Sequence, residues 1–227
     1  MFIDEFFEKD FYQKLGLNYA STFNFGQFFL THAYYPHENL ELWRPIPDAS
    51  EPTKTIATKF HIVSSAPDKF KKSLPLGAPP LETNEEFLVI RAKIRPVVLI
   101  RPEIPLPPEI NKGFRGKLAR KRCLIAQVYS LKDTKTGVAK FSPDFVARMR
   151  KLEFPQFLFF PQKAGILEVD SFLRLDECQS VFTKHLDPLQ FALSDDLRSL
   201  LRWQLQALFV DSISKDYAEL REMMLDS

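Results

Sequence analysis

Hydrophobic periodicity divides this chain into short elements separated by proline-rich stretches. In residues 2–15, Phe2, Ile3, Phe6, Phe7, Phe11 and Leu15 recur at helical spacing, with acidic and lysine side chains between them. That pattern predicts an amphipathic helix ending near Gly16, its apolar face packed on the protein's own core, on a partner or on a membrane surface. Residues 24–35 are dense in aromatics, which predicts a strand. Pro36, Pro45 and Pro47 then argue against a regular element before a second strand at 56–64. The run 65–84 holds Pro67, Pro75, Gly77, Pro79 and Pro80 and reads as a loop or linker. Over 86–101 two β-rich runs flank a basic turn. Pro96, which has no ladder donor, is expected there at a strand start or bulge.

Further strands are predicted at 123–130, 156–160 and 166–175. Ser142 and Pro143 mark the start of a short helix running to Arg150, as an N-cap followed by a proline in the first helical position. Ser194, Asp195 and Asp196 start a longer helix over 195–210, with Leu197, Leu200, Leu201, Leu205 and Leu208 as its apolar stripe. A last helix is expected near 215–225. Short strands with long connections and terminal helices imply a mainly β fold with α elements, a small barrel or a strongly bent sheet.

Composition narrows the class. The 227 residues are 45% hydrophobic and 26% charged, which fits a packed globular chain of one elaborated domain. Twenty-two phenylalanines against 7 glycines point to an aromatic core and away from glycine-rich nucleotide-cofactor folds. Net charge is +2, so any polyanion surface must come from local clustering. Cys123 and Cys178 lie in apolar runs and are expected as buried free thiols, which suits a reducing compartment. His32, His37, His61 and His185 lack metal-ligand spacing, and no metal or cofactor is expected. The N-terminus lacks a basic stretch followed by a continuous apolar one, and no segment has the ~18 apolar residues that span a bilayer, so a cytoplasmic location without membrane contact is expected.

Two features carry candidate chemistry. Arg174 and Asp176 stand two apart in a predicted strand, so they share a face, with Leu173 and Leu175 opposite. By spacing alone the pair reads as a surface ion pair on a strand face. Residues 111–122 contain Lys112, Arg115, Lys117, Arg120, Lys121 and Arg122 with Phe114 interleaved and no acid. Such a segment grips a nucleic-acid backbone or an acidic partner, or it is a solvated loop.

Three ordered segments resemble the MazF/PemK toxin family. Lys93-Ile-Arg95-Pro96-Val-Val-Leu-Ile resembles its basic-x-Arg-Pro before an apolar strand. Cys123-Leu-Ile-Ala-Gln-Val-Tyr129-Ser130 resembles its central strand, and Gly165 to Val181, with Arg174-Leu-Asp176-Glu177, its Arg-x-Asp-Gln strand. A helix after Leu193-Ser194-Asp195 continues the likeness. The resemblance implies an SH3-like small barrel of the MazF/PemK type with N-terminal and C-terminal helices. The barrel core would comprise 24–36 and 86–210, with 1–23 a helical extension, 37–85 an insertion and 211–227 a C-terminal helix.

It also implies metal-independent cleavage of single-stranded RNA, neutralisation by an antitoxin protein, and a homodimer. By that likeness Asp176 would be the base and Arg174 the acid or charge stabiliser. Arg95 would hold phosphate, Ser130 would assist, and Tyr129 would contact phosphate or stack on a base. Lys93, with Lys112, Phe114, Arg115, Lys117, Arg120, Lys121 and Arg122, would bind substrate. The chain departs from the family pattern at Tyr129, where threonine is usual, and at Glu177, where glutamine is usual. A non-catalytic nucleic-acid- or protein-binding module on the same scaffold is the alternative.

Overall fold

The computed structural model describes residues 1–7, 11–34, 92–104 and 121–227 in full, and 41–47, 55–64 and 87–89 as backbone. In chain order the elements are α1 (Ile3–Phe7), β1 (Tyr12–Lys14), β2 (Gln27–Tyr34), β3 (Glu41–Pro47), β4 (Thr55–Ser64), β5 (Phe87–Val89), β6 (Ala92–Arg101), β7 (Arg122–Ser130), α2 (Pro143–Arg150), β8 (Phe157–Phe160), β9 (Ser171–Phe182), β10 (Asp187–Leu193), α3 (Asp195–Phe209) and α4 (Lys215–Asp226). The chain forms two compact units, one of residues 1–33 with 94–227 and one of residues 34–93.

The smaller unit is an antiparallel three-stranded sheet in the order β4-β3-β5, with Trp43 opposite both Ile62 and Phe87. Strand β3 corrects the expectation that Pro45 and Pro47 exclude a regular element. The β3–β4 register shifts between these two prolines, so the ladder accommodates them at an irregularity.

The larger unit is built on a seven-stranded sheet in the order β1-β10-β2-β6-β7-β9-β8. The mainly β class with helices is therefore what the chain adopts. The sheet is open, with β1 and β8 at its edges, where a closed small barrel was expected. It curls so that the edges approach through side chains: the Tyr12 hydroxyl donates to Pro161 O at 2.6 Å, and Phe11 lies edge-on to Phe160. No ladder joins β1 to β8.

One sheet face carries Phe28, Val98, Ala126, Val128, Leu158 and Leu173, all buried in a core shared with Leu197, Leu200 and Leu201 of α3 and Tyr217 and Met224 of α4. Each such buried leucine contributes about 1.5–3 kcal/mol relative to exposure. Ser194 caps α3 by accepting from Leu197 N at 3.3 Å. In the apolar stripe Gln204 is fully buried, while Leu205 and Leu208 are half-buried. Its amide donates to Phe157 O at 2.8 Å, which fastens α3 to the β8 edge. The opposite sheet face carries a second apolar cluster that includes Phe29, Val97, Leu99, Cys123 and Ile125.

The predicted helix over 2–15 is replaced by the one-turn α1 and by β1. Phe11 is 2% exposed, and Tyr12 to Lys14 pair antiparallel with Leu193 to Phe191. Sheet pairing and burial of Phe11 override the local helical spacing. Strand β9 runs on to Phe182 and β10 follows it, so the third predicted strand starts later and ends later than expected. Cys123 is fully buried and Cys178 half-buried, and both are free thiols. Among the described residues no helix is long and apolar enough to cross a membrane.

Candidate functional site

Four strands bring the site together. Val97 of β6, Gln127 of β7, Arg174 of β9 and Phe157 of β8 lie opposite one another in successive pairs. Tyr129 pairs with Phe172 two residues along. Partnered residues share a face, and so do residues two apart. Arg95, two before Val97, therefore faces Tyr129, and its guanidinium carbon lies 4.5 Å from that ring's centroid.

A bulge completes the cluster. From Arg174 to Gln179 β9 takes five steps, while β7 takes two from Gln127 to Ile125, so β9 carries three additional residues. An odd number of added residues reverses which side chains face which way. Glu177 would otherwise lie with Leu173 and Leu175. Instead it meets Arg174, whose Nη1 is 2.6 Å from Glu177 Oε1, and it accepts a short hydrogen bond from the Tyr129 hydroxyl. Gln127 Oε1 lies 3.3 Å from the same hydroxyl.

Arg174 and Asp176 share a face as the strand period requires. The contact is bidentate, with Nη2 to Oδ2 at 2.6 Å and Nε to Oδ1 at 3.2 Å. Leu173 and Leu175 are fully buried on the other side. The cluster grades from interior to rim: Glu177 is 6% exposed in its side chain, Arg174 26% and Asp176 35%. An incoming ligand therefore meets the Arg174–Asp176 pair first.

Burial acts to lower the Arg174 pKa, but hydrogen bonding to Asp176 and the carboxylates of Asp176 and Glu177 outweigh it and raise it, so the guanidinium stays charged. Burial, then the hydrogen bond to and the charge of Glu177, push the Tyr129 hydroxyl far above its ordinary value, against Arg95 and Arg174. Tyr129 is thus a hydrogen-bond donor and a stacking surface at neutral pH. Two guanidinium groups lie over its ring, Arg95 at 4.5 Å and Arg174 at 5.6 Å.

The remaining predicted residues are dispersed. Arg95 is 7% exposed, with its guanidinium stacked on Tyr129. Ser130 lies on the face of β7 opposite Tyr129 by alternation and accepts from Lys140 Nζ at 2.8 Å, so it does not join the cluster. Lys93 is exposed on β6. Lys112, Phe114, Arg115, Lys117 and Arg120 lie outside the described residues. Lys121 and Arg122 stand at the far end of β7, roughly 23 Å of strand from Tyr129.

Glu177 as the hub of the cluster and Gln127 as its buried neighbour were not anticipated as site residues. The sequence carries no signal for the bulge that turns Glu177 inward. Among the described residues no three His, Cys, Asp or Glu side chains come together as metal ligands. No protein-family model and no curated protein matches the chain.

Proposed function

We propose that this protein binds single-stranded RNA across the Arg174–Asp176 rim and cleaves it without metal, on a curled-sheet scaffold akin to the small toxin-type barrel. The observation that carries this reading is the fixed Arg174–Asp176 pair, a carboxylate and a guanidinium side by side at an accessible edge. Asp176 takes the proton of a 2′-hydroxyl, whose oxygen attacks the adjacent phosphorus. The P–O5′ bond breaks, the 5′-oxygen takes a proton from solvent, and a 2′,3′-cyclic phosphate remains. Arg174 offsets the charge that develops on the phosphoryl oxygens. Arg95 and Glu177 act through Tyr129 and Arg174, as positioning residues. A partner's extended segment laid across the same rim would block the reaction, as an antitoxin does.

Strand binding without cleavage is the second reading. It is favoured by the engagement of both Asp176 oxygens by Arg174. The deciding experiment incubates a long single-stranded RNA with wild type, Asp176→Ala and Arg174→Ala in the presence of chelator. Cuts ending in 2′,3′-cyclic phosphate that disappear in both variants support cleavage. Folded wild-type protein that binds the RNA and leaves it intact selects the binding reading.

A further inference from the structure

The charges at the site just described are balanced, two guanidinium groups against two carboxylates, so it offers little long-range attraction to a polyanion. Among the described residues, cations without a carboxylate partner lie at the other end of the same strands. There a cleft of roughly 400 Å³ is lined by Thr31, His32, Val181, Lys184, His185 and Asp187. Its wall is a single 3-10 turn over Thr183–His185 that joins β9 to β10. The turn is closed by its own Leu186 N–H to Thr183 O bond at 3.2 Å and held on two sides: Thr183 N donates to Lys121 O at 3.1 Å, and the Thr31 hydroxyl donates to His185 O at 2.8 Å.

Arg122, opposite Phe182 in the β7–β9 ladder, stacks its guanidinium on that ring at 5.0 Å, and His185 meets the ring edge-on at 5.7 Å. Aromatic packing thus fixes a cation beside the cleft without neutralising it. Lys121, Arg122 and Lys184 have no carboxylate partner among the described residues. Asp187 is the one carboxylate among the lining residues. In sequence, Lys121 and Arg122 end the segment 112–122, which holds six basic residues and no acid.

We propose that this cleft is a second anion site that takes a backbone phosphate of the strand whose neighbouring segment lies at the Arg174–Asp176 rim. The inference rests on the RNA reading above. Lys184 and Arg122 supply the charge: the stacked ring holds the Arg122 guanidinium, the pinned turn fixes the backbone that carries Lys184, and the strand rounds the end of the sheet, because Arg122 faces the side of β7 opposite Tyr129. Anchoring here orders the strand without reading its sequence, because phosphates carry no base information. The balanced rim then needs to contribute position rather than attraction.

The experiment measures binding of a fluorescein-labelled single-stranded RNA over a salt series, for wild type, Lys184→Gln and the double variant Arg122→Gln/Lys184→Gln. Circular dichroism melting confirms that each variant is folded, and Lys184→Gln, at an exposed position, guards against loss of fold in the double variant. The slope of log affinity against log salt is expected to fall by about 0.7 in Lys184→Gln and by about 1.4 in the double variant, with affinity weakened for every RNA sequence. Unchanged slopes in folded Lys184→Gln and double variants overturn the second site and leave the RNA reading intact. If wild type binds no RNA, the RNA reading fails. A titration with inorganic phosphate and a nucleoside monophosphate then decides the cleft. Binding abolished by Lys184→Gln keeps it as a site for a small phosphate ester, and no binding removes it.

Discussion

Tyr129 donates its hydroxyl to Glu177 across the β7–β9 pair, although strict alternation along β9 would turn Glu177 toward the opposite face. The contact exists because β9 carries three residues more than β7 between two well-paired segments. It makes Glu177 the support of the whole cluster, since the same carboxylate also holds Arg174.

Replacing Glu177 by glutamine keeps the shape and removes the charge. The variant is expected to lose about 1.5–3 kcal/mol in urea unfolding, the scale of hydrogen bonds to a charged group. The Tyr129 hydroxyl is expected to titrate at lower pH, because Glu177 contributes both a hydrogen bond and a charge that raise it. Ultraviolet titration of tyrosinate reads the shift. An unchanged titration curve would mean that Glu177 does not hold Tyr129.

Asp176→Asn separates stability from chemistry. The pair is partly exposed, so its loss is expected to change stability by no more than about 1 kcal/mol. Removal of the base is expected to lower the RNA cleavage rate about 10²- to 10⁴-fold. A folded variant with undiminished cleavage would remove Asp176 from the mechanism.

Alkaline conditions are expected to unfold the protein early. Burial pushes the Cys123 and Cys178 thiols up to about 11, from 9.0 for an unperturbed thiol, and pushes the Tyr12 and Tyr129 hydroxyls higher still. Groups whose pKa is raised in the folded state stabilise it fully below their unfolded values, so this contribution is complete below pH 9 and is lost as pH rises through 11. Urea midpoints at pH 8, 9.5 and 11 should fall in that order. A flat profile across the window would contradict the burial of these groups.

Gly26 adopts φ +80°, and a Cβ there would stand 2.7 Å from Arg198 Cγ. Its N–H donates to Leu99 O at 2.8 Å and its carbonyl accepts from Leu193 N at 2.9 Å, so it joins β6 and β10 through the start of β2. Gly26→Ala is expected to cost more than about 1 kcal/mol from the backbone conformation and the contact together. Thermal melting checks this, and a variant as stable as wild type would show that the turn relaxes freely.

Elements whose pattern is local were legible in the chain. Ser142 with Pro143, and Ser194 with Asp195 and Asp196, mark helix starts because the caps and the dipole act within one turn. Arg174 and Asp176 share a face because a strand repeats every two residues. Where local and long-range terms compete, the pattern misleads: Phe11 and Leu15 have helical spacing, yet Tyr12 to Lys14 between them pair with β10. Asp187–Leu193 gives no strand signal beside Pro188, yet it forms β10 between β1 and β2.

The sequence by itself determined the mainly β class, the capped helices and the Arg174–Asp176 pair, all consequences of periods and caps that operate over a few residues. Tertiary structure alone decided that the sheet curls without a closing ladder, that Arg95 stacks on Tyr129, that Glu177 turns inward through a bulge, and that Arg122 and Lys184 meet at the turn between β9 and β10. Each of these depends on which strands become neighbours and in what register. Those choices are made by burial and pairing across the whole chain, which no local spacing encodes.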